Sequence, residues 1–85
     1  YIEGLKDYVK IVLADGSRPV LTLMSMKSLE EMLPEASFMR VHRSFIVNMD
    51  KVRVIERNCV VMGRQLIPVS ESARKRFFSA LGMSQ

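Results

Sequence analysis

The sequence predicts an all-β fold: compact, packed small antiparallel sheets with one short internal helix and a short C-terminal helix. Short segments in which apolar residues alternate with other residues recur along much of the chain, and a period of two is typical of strands. Turn-forming residues separate the later segments at close spacing, as in a β-meander. Helical spacing of apolar residues occurs in only two short stretches, so helices are a minor part of the predicted fold.

The length and composition point to one small domain. The chain has 85 residues, of which 48% are hydrophobic, so we expect residues 1–85 to form a single domain near the lower size limit for one core. Because it begins with Tyr1, we expect it to be a fragment of a longer chain. No apolar run approaches the ~20 residues that span a membrane, so no membrane contact is expected. The single cysteine, Cys59, excludes an internal disulfide and fits a reducing, cytoplasmic location.

Basic residues are concentrated in the second half of the chain. Residues 1–42 contain five bases and six acids, whereas residues 43–85 contain eight bases and three acids. A basic half indicates a polyanionic partner, such as nucleic acid or an anionic membrane face. A solubilising surface would explain the same charge, so charge alone does not decide the function.

Residues 8–24 are predicted to form a β-hairpin. An Asp-Gly pair at positions 15–16 marks the turn. Pro19 opens the return strand, where its missing N–H matters least. The period of two in the first strand predicts one buried face. The residues assigned to that face are Val9, Ile11 and Leu13.

A helix of about two turns is predicted next and ends at Pro34, which cannot continue a helix. Two caps are open at its start. Ser25 could cap the first turn, or Ser28 and Glu31 could form a capping box. The apolar positions at helical spacing are Met26, Leu29 and Leu33.

Residues 38–47 are predicted to form one long strand. Arg43 interrupts its more apolar face, and a bulge or bend near His42-Arg43 is expected to release the arginine from the core. The apolar residues of that face are Met39, Val41, Phe45 and Val47. The opposite face carries Phe38, Arg40, His42, Ser44 and Ile46.

Three short strands at residues 52–56, 59–62 and 65–69 follow, with turns at Arg57-Asn58 and Gly63-Arg64. A last helix is predicted over residues 70–82. Ser70 is its expected N-cap, Glu71 suits the positive end of the helix dipole, and Gly82 is a natural stop. The apolar stripe of this helix is Ala73, Phe77, Ala80 and Leu81.

The residues do not favour an enzyme. The chain has one histidine, His42, and its cysteine, Cys59, lies in a valine-rich strand where core packing is expected. No group of His, Cys and carboxylates has metal-ligand spacing, and no glycine-rich phosphate loop occurs. We therefore expect no catalytic residues, no metal and no cofactor. Most of the methionines, including Met32, are expected to fill the core.

The clearest candidate for a binding site is the run RVHRSFIVN at positions 40–48. Arginine can donate two hydrogen bonds to guanine, and His, Ser and Asn can reach phosphates or base edges. An exposed face with one hydrogen-bonded histidine would explain the same residues. The run closely resembles the most diagnostic segment of the LytTR DNA-binding domain of bacterial response regulators, the LytR/AlgR type. Matching segments also occur, in the same order, at residues 1–11, 28–34 and 66–70, so the resemblance covers nearly the whole chain.

The resemblance implies sequence-specific binding of double-stranded DNA by a bacterial transcriptional regulator, without a helix-turn-helix. In the family, loops of a β-scaffold enter successive major grooves, with a minor-groove contact between them. Two protomers usually occupy a direct repeat. An upstream receiver or sensory domain is the expected partner within a two-component system.

Three loops carry the candidate DNA-binding residues by this resemblance: one after the opening strand, one around His-Arg-Ser, and the start of the last helix. Asp7 and Tyr8 argue against a base contact in the first loop, and Glu71 introduces repulsion toward phosphate. Asn48, at a turn, is expected to cap backbone rather than contact DNA. The DNA-binding residues are predicted to be Lys6, Tyr8, Lys10, His42, Arg43, Ser44, Ser70, Ser72, Arg74 and Lys75.

Two other classes of function remain open. One is a basic-faced protein-interaction module that does not bind DNA and would show no salt-sensitive DNA binding. The other is an RNA-binding domain, which would need exposed aromatic side chains on a sheet. The core is expected to take the four phenylalanines, which argues against RNA binding.

Overall fold

The computed structural model describes residues 1–82, which form two antiparallel sheets and two short helices. This architecture confirms the predicted all-β class. The strands are β1 (Ile2–Gly4), β2 (Val9–Ile11), β3 (Val20–Thr22), β4 (Phe38–His42), β5 (Phe45–Asn48), β6 (Val54–Glu56), β7 (Cys59–Met62) and β8 (Gln65–Pro68). The helices are α1 (Met26–Met32) and α2 (Glu71–Ala80), and a 3₁₀ turn covers Met49–Lys51.

The first sheet has the strand order β3-β2-β1-β5-β4, and the second has the order β6-β7-β8. Strands β2 and β3 pair in the predicted hairpin, with Lys10 opposite Leu21. The strands are shorter than expected. Because β2 ends at Ile11, Leu13 leaves the sheet and is 43% exposed, so its assignment to the buried face was wrong.

The prediction of one long strand over residues 38–47 was also wrong. The chain reverses at Arg43-Ser44, and β4 and β5 form a tight hairpin with His42 opposite Phe45. The register shifts between Arg40 and His42. The expected bulge or bend near His42-Arg43 is therefore confirmed: a bulge lies just before His42, and the turn at Arg43-Ser44 carries Arg43 away from the core.

Each face of the first sheet covers its own hydrophobic core. The larger core lies between the first sheet, the second sheet and α2, and the smaller one lies under α1. The four residues predicted to share the more apolar face of the 38–47 segment all belong to, or pack against, the larger core, which confirms that assignment. The buried residues of this core are Val41, Phe45, Val47, Val60, Ile67, Val69, Ala73, Phe77 and Phe78. Those of the smaller core are Ile2, Val9, Leu29 and Ile46.

The start of α1 resolves the two capping alternatives. The Ser25 hydroxyl accepts a hydrogen bond from the Ser28 backbone N–H at 3.1 Å, so Ser25 is the cap. Leu29 is buried and Leu33 packs against the smaller core. Met32 lies on the outer side of the helix and is 72% exposed, so it is not core filling as expected.

Helix α2 begins after Ser70 as predicted, but the Ser70 side chain makes no capping hydrogen bond. The buried stripe also differs from the prediction. Phe78 is buried and Ala80 is exposed, because Phe77 and Phe78 both pack into the larger core. Gly82 follows with φ of +77°, the left-handed conformation in which glycine commonly ends a helix.

The meander of β6, β7 and β8 matches the prediction in its strands and both turns. Arg57 and Asn58 both have positive φ, as a type I′ hairpin turn requires. Cys59 is only half-buried and lies outside the buried core, because the neighbouring Val60 takes the inward position on β7. The expectation of a core cysteine was therefore wrong.

Candidate nucleic-acid interface

The three predicted segments, namely the β1–β2 loop, the β4–β5 turn and the start of α2, meet at one end of the first sheet. Strands β1 and β5 are antiparallel, so the end of β1 lies beside the start of β5. The Gly4 N–H donates to the Ser44 carbonyl oxygen at 2.7 Å, and the Ser70 N–H donates to the Val41 carbonyl oxygen at 2.7 Å. We call the surface formed by residues 5–8, 42–44 and 70–75 the loop end.

Gly4 lets the loop end pack closely against α1. A Cβ atom on Gly4 would lie 2.7 Å from Cγ of Met26, closer than real Cβ contacts. The same glycine donates to Ser44. The end of β1 is therefore held between the helix and the β4–β5 turn, which limits the movement of that turn.

His42 is oriented by its own turn. Its Nδ1 accepts a hydrogen bond from the Ser44 backbone N–H at 3.1 Å, and its ring lies 5.8 Å from the Phe45 ring, centroid to centroid. An accepting Nδ1 carries no proton, so in the neutral ring the proton is on Nε2. The histidine thus presents one N–H donor that its turn does not use.

Arg43 lies in the two-residue turn between β4 and β5 and is exposed. It forms no ion pair within residues 1–82. Ser44 beside it is half-buried, and its backbone N–H and carbonyl are both engaged within the chain. The hydrogen bonds therefore fix the backbone of the turn, whereas the Arg43 guanidinium is exposed and can contact a ligand.

The start of α2 contains two basic residues whose side chains differ in how far they can move. Arg74 is half-buried, and its Nε donates to the Val69 carbonyl oxygen at 3.4 Å. Lys75 is exposed. The hydroxyls of Ser70 and Ser72 lie 3.3 Å apart beside the first turn of the helix. Lys75 can extend farther from the surface than Arg74 can.

The β1–β2 loop supplies fewer candidates than predicted. Lys6, Asp7 and Tyr8 are exposed there, and with Leu23–Ser25 they line a cavity of about 450 Å³. Lys10 does not belong to this loop. It lies in the middle of β2, opposite Glu3 of β1, because the strand begins one residue after Tyr8.

The structure adds Arg57, which no sequence pattern singled out. The Val69 N–H donates to the Asn58 carbonyl oxygen at 3.1 Å, so the β6–β7 turn lies beside the start of α2. Arg57 is exposed in that turn. The next turn of the meander, which carries Arg64, lies at the opposite end of the second sheet, because β7 pairs with β8 in antiparallel register.

Asn48 has the structural role that was expected of it. Its side-chain oxygen accepts a hydrogen bond from the Asp50 N–H at 3.0 Å and so caps the 3₁₀ turn. It lies at the end of the first sheet away from the loop end, since β5 runs from Phe45 at that end to Asn48.

A larger cavity, of about 680 Å³, also lies at this far end and contains none of the predicted DNA-binding residues. Its apolar walls include Ile11, Leu29, Leu33 and Phe38. No group of three His, Cys, Asp or Glu in residues 1–82 could hold a metal ion. Across the same residues, the helices are too short and too polar to cross a membrane.

Comparison with known proteins identifies the family. A sequence model described as the LytTr DNA-binding domain matches residues 1–82. The chain is similar to the "Sensory transduction protein LytT" of Bacillus anthracis, with 34% identity over 85 aligned positions that cover 85% of this chain and 35% of the relative. A protein of the same name from Oceanobacillus iheyensis is 41% identical over 68 positions, covering 71% of this chain and 28% of the relative.

No solved structure gave a significant match. The chain spans about a third of the length of the curated relatives that it matches. The family model, by contrast, covers nearly all of the chain, including the run at positions 40–48 and the start of α2. The chain belongs to the LytTR family of DNA-binding domains.

Proposed function

We propose that this chain binds duplex DNA sequence-specifically through the loop end and is the DNA-binding domain of a bacterial transcriptional regulator. The observation that carries the proposal is the exposed Arg43, in a turn fixed by hydrogen bonds from Gly4 and to His42. Basic side chains surround that turn at the loop end, including Lys6 and Lys75. An exposed arginine on a fixed backbone, with other basic side chains around it, suits both base reading and phosphate attraction.

The two kinds of contact fall on different elements in this proposal. Arg43 donates two hydrogen bonds to a guanine in the major groove, and His42 and Ser44 support it from the same turn. Lys75 and Arg74 contact phosphates at the start of α2, where the helix N–H groups also favour an anion. Lys6 and Arg57 add phosphate contacts on either side. Ser70, Ser72 and Tyr8 form the rest of the proposed DNA-binding surface. Lys10 can contact DNA only at the edge of that surface.

The size of the domain supports binding by loops in successive grooves, and the family resemblance implies that two protomers occupy a direct repeat. The longest dimension is 36 Å, close to one turn of B-DNA, about 34 Å. The relatives are named as sensory transduction proteins and are about three times as long as the match. We therefore propose that residues 1–85 act as a single domain with a receiver or sensory domain upstream.

Two single substitutions are expected to separate the recognition of bases from the electrostatic attraction to phosphates. Arg43→Ala removes the proposed guanine contact, so it should lose about 1–3 kcal/mol of preference for the cognate site. Lys75→Ala removes a phosphate contact, so it should weaken cognate and random DNA alike and lower the salt slope by about one unit. The measurement is the affinity of each variant for both duplexes at several salt concentrations, with the cognate duplex selected from a random pool by the unmodified chain.

Either substitution can contradict these roles. If Arg43→Ala lowers both affinities equally, Arg43 contacts phosphate and does not read a base. If Lys75→Ala selectively loses the cognate site, the last helix reads the bases instead. Both residues are exposed, so both variants are expected to fold, and a matching urea denaturation midpoint is the control.

A further inference from the structure

We propose that Arg40 is a positioning residue: it holds the Arg43-Ser44 turn in its DNA-reading conformation and does not contact DNA itself. Nη2 of Arg40 donates to the Arg43 carbonyl oxygen at 2.7 Å. The inference rests on the proposed function, because it assigns a purpose to the turn that Arg40 holds. It separates the two arginines of the RVHRSFIVN run, which the sequence places only three positions apart.

The Arg40 side chain lies along the protein surface rather than toward a ligand. Its Nη1 is 3.4 Å from Oε1 of Glu30 on α1. Its Nε is buried and has no hydrogen-bond partner within the described residues. Only 29% of the side chain is exposed. Both Nη atoms of the guanidinium therefore already have partners, one on α1 and one in the turn, so the group is poorly placed to reach a phosphate.

The bonds from Gly4 and to His42 hold Ser44, so the Arg43 peptide group relies on the separate bond from Arg40. Strand β4 is at the edge of the first sheet and is bulged between Arg40 and His42, so the strand just before the turn is paired on one side only and irregularly. The turn contains no glycine or proline to restrict its backbone. The bond from Arg40 is charge-assisted, and such bonds are roughly twice as strong as neutral ones. It fixes the peptide group of the residue proposed to read the base.

This bond, rather than the ion pair with Glu30, is expected to matter. The Glu30 side chain is 47% exposed and the nitrogen–oxygen distance is 3.4 Å, so the pair is solvent-screened and weak. A two-pronged hydrogen bond from arginine to guanine tolerates little misplacement. Loosening the Arg43 backbone should therefore reduce discrimination more than general attraction to DNA.

The test is Arg40→Gln in the whole chain, with Arg64→Gln as the matched control. Both variants lose one positive charge, and Arg64 lies in the β7–β8 turn, at the end of the second sheet away from the proposed DNA surface. In Arg40→Gln, we expect the preference for the selected cognate duplex over random duplex to fall about tenfold, with the salt slope equal to that of Arg64→Gln. In the DNA-free chain, ¹⁵N relaxation should show lower order at Arg43 and Ser44 in Arg40→Gln only.

The outcomes are distinguishable. A salt slope about one unit lower in Arg40→Gln than in Arg64→Gln, with preference retained, would make Arg40 a phosphate contact and overturn the proposal. Unchanged order at Arg43 and Ser44 would overturn it as well. If Arg40→Gln does not fold, Arg40→Lys keeps the charge but loses the fork. It is compared with the unmodified chain, and unchanged cognate preference together with unchanged order at Arg43 and Ser44 would overturn the proposal. If the unmodified chain shows no cognate preference, the proposed function fails, and the relaxation data still decide whether Arg40 holds the turn.

Discussion

Raising the salt concentration from about 50 to about 200 mM is expected to weaken duplex binding several hundredfold. Five of the basic side chains at or beside the loop end are proposed to contact DNA: Lys6, Arg43, Arg57, Arg74 and Lys75. If about five phosphates are neutralised, the slope of log affinity against log salt is about −4.5, because each contact releases a condensed counterion. Fluorescence anisotropy with a labelled duplex at four or more salt concentrations measures this slope.

The control for the salt experiment is the stability of the fold at each salt concentration. The unfolding midpoint of the free chain at the two extreme salt concentrations shows whether lost affinity reflects lost structure. A flat titration, or no binding to a random DNA pool at low salt, would contradict the proposed function. It would favour instead a basic-faced module that binds another protein.

Ile67→Ala is expected to destabilise the chain by about 2–5 kcal/mol, through lost burial and the cavity left behind. Ile67 is fully buried in the larger core, where β8 packs with the first sheet and α2. For a domain of this size the loss is a large share of the total stability, which is about 5–15 kcal/mol for native proteins. Urea denaturation followed by circular dichroism gives the free energy of unfolding.

Leu66→Ala is the matched control, since Leu66 precedes Ile67 on β8 and is 54% exposed. Its side chain points to the opposite face of the strand, so truncation should change the free energy of unfolding by about 0.5 kcal/mol or less. Equal losses for the two variants would contradict the register of β8. They would also contradict the packing of the second sheet against the larger core.

Alternation of apolar residues predicted which side chains share a core, but not where the chain reverses. Val41 and Val47 were assigned to one face and do share the larger core. The same pattern gave no sign of the turn at Arg43-Ser44. The turn places His42 and Phe45 on one face, which shifts the alternation by one residue, and the bulge between Arg40 and His42 shifts it back, so the apolar residues keep an even spacing. The break near Asp15-Gly16 was predictable, and Gly16 adopts φ of +80°, but the turn is centred one residue earlier, on Ala14-Asp15.

Residues of the candidate site that belong to a sequence motif could be predicted. Residues that the folding of the chain brings to the site could not. His42 and Arg43 came from a compact run of residues. Arg57 reaches the loop end only because the β7–β8 hairpin brings Val69 back beside Asn58, where the Val69 N–H donates to the Asn58 carbonyl oxygen at 3.1 Å. Arg40 contacts the Arg43 carbonyl only because the chain turns back at that point. Neither relation is encoded in local spacing.

The central claim is that one end of the two sheets, and not the basic half of the chain as a whole, is the DNA surface. Arg57 and Arg64 test it most directly. Both are exposed arginines in the turns of the same three-stranded sheet, at its opposite ends.

The measurement is the salt dependence of duplex affinity for Arg57→Gln and Arg64→Gln, two variants with the same net charge. Arg57→Gln is expected to weaken binding and to lower the slope by about one unit, because it loses a phosphate contact. Arg64→Gln should leave the slope unchanged. If Arg64→Gln lowers the slope as much as Arg57→Gln does, or more, the loop end is not the DNA surface.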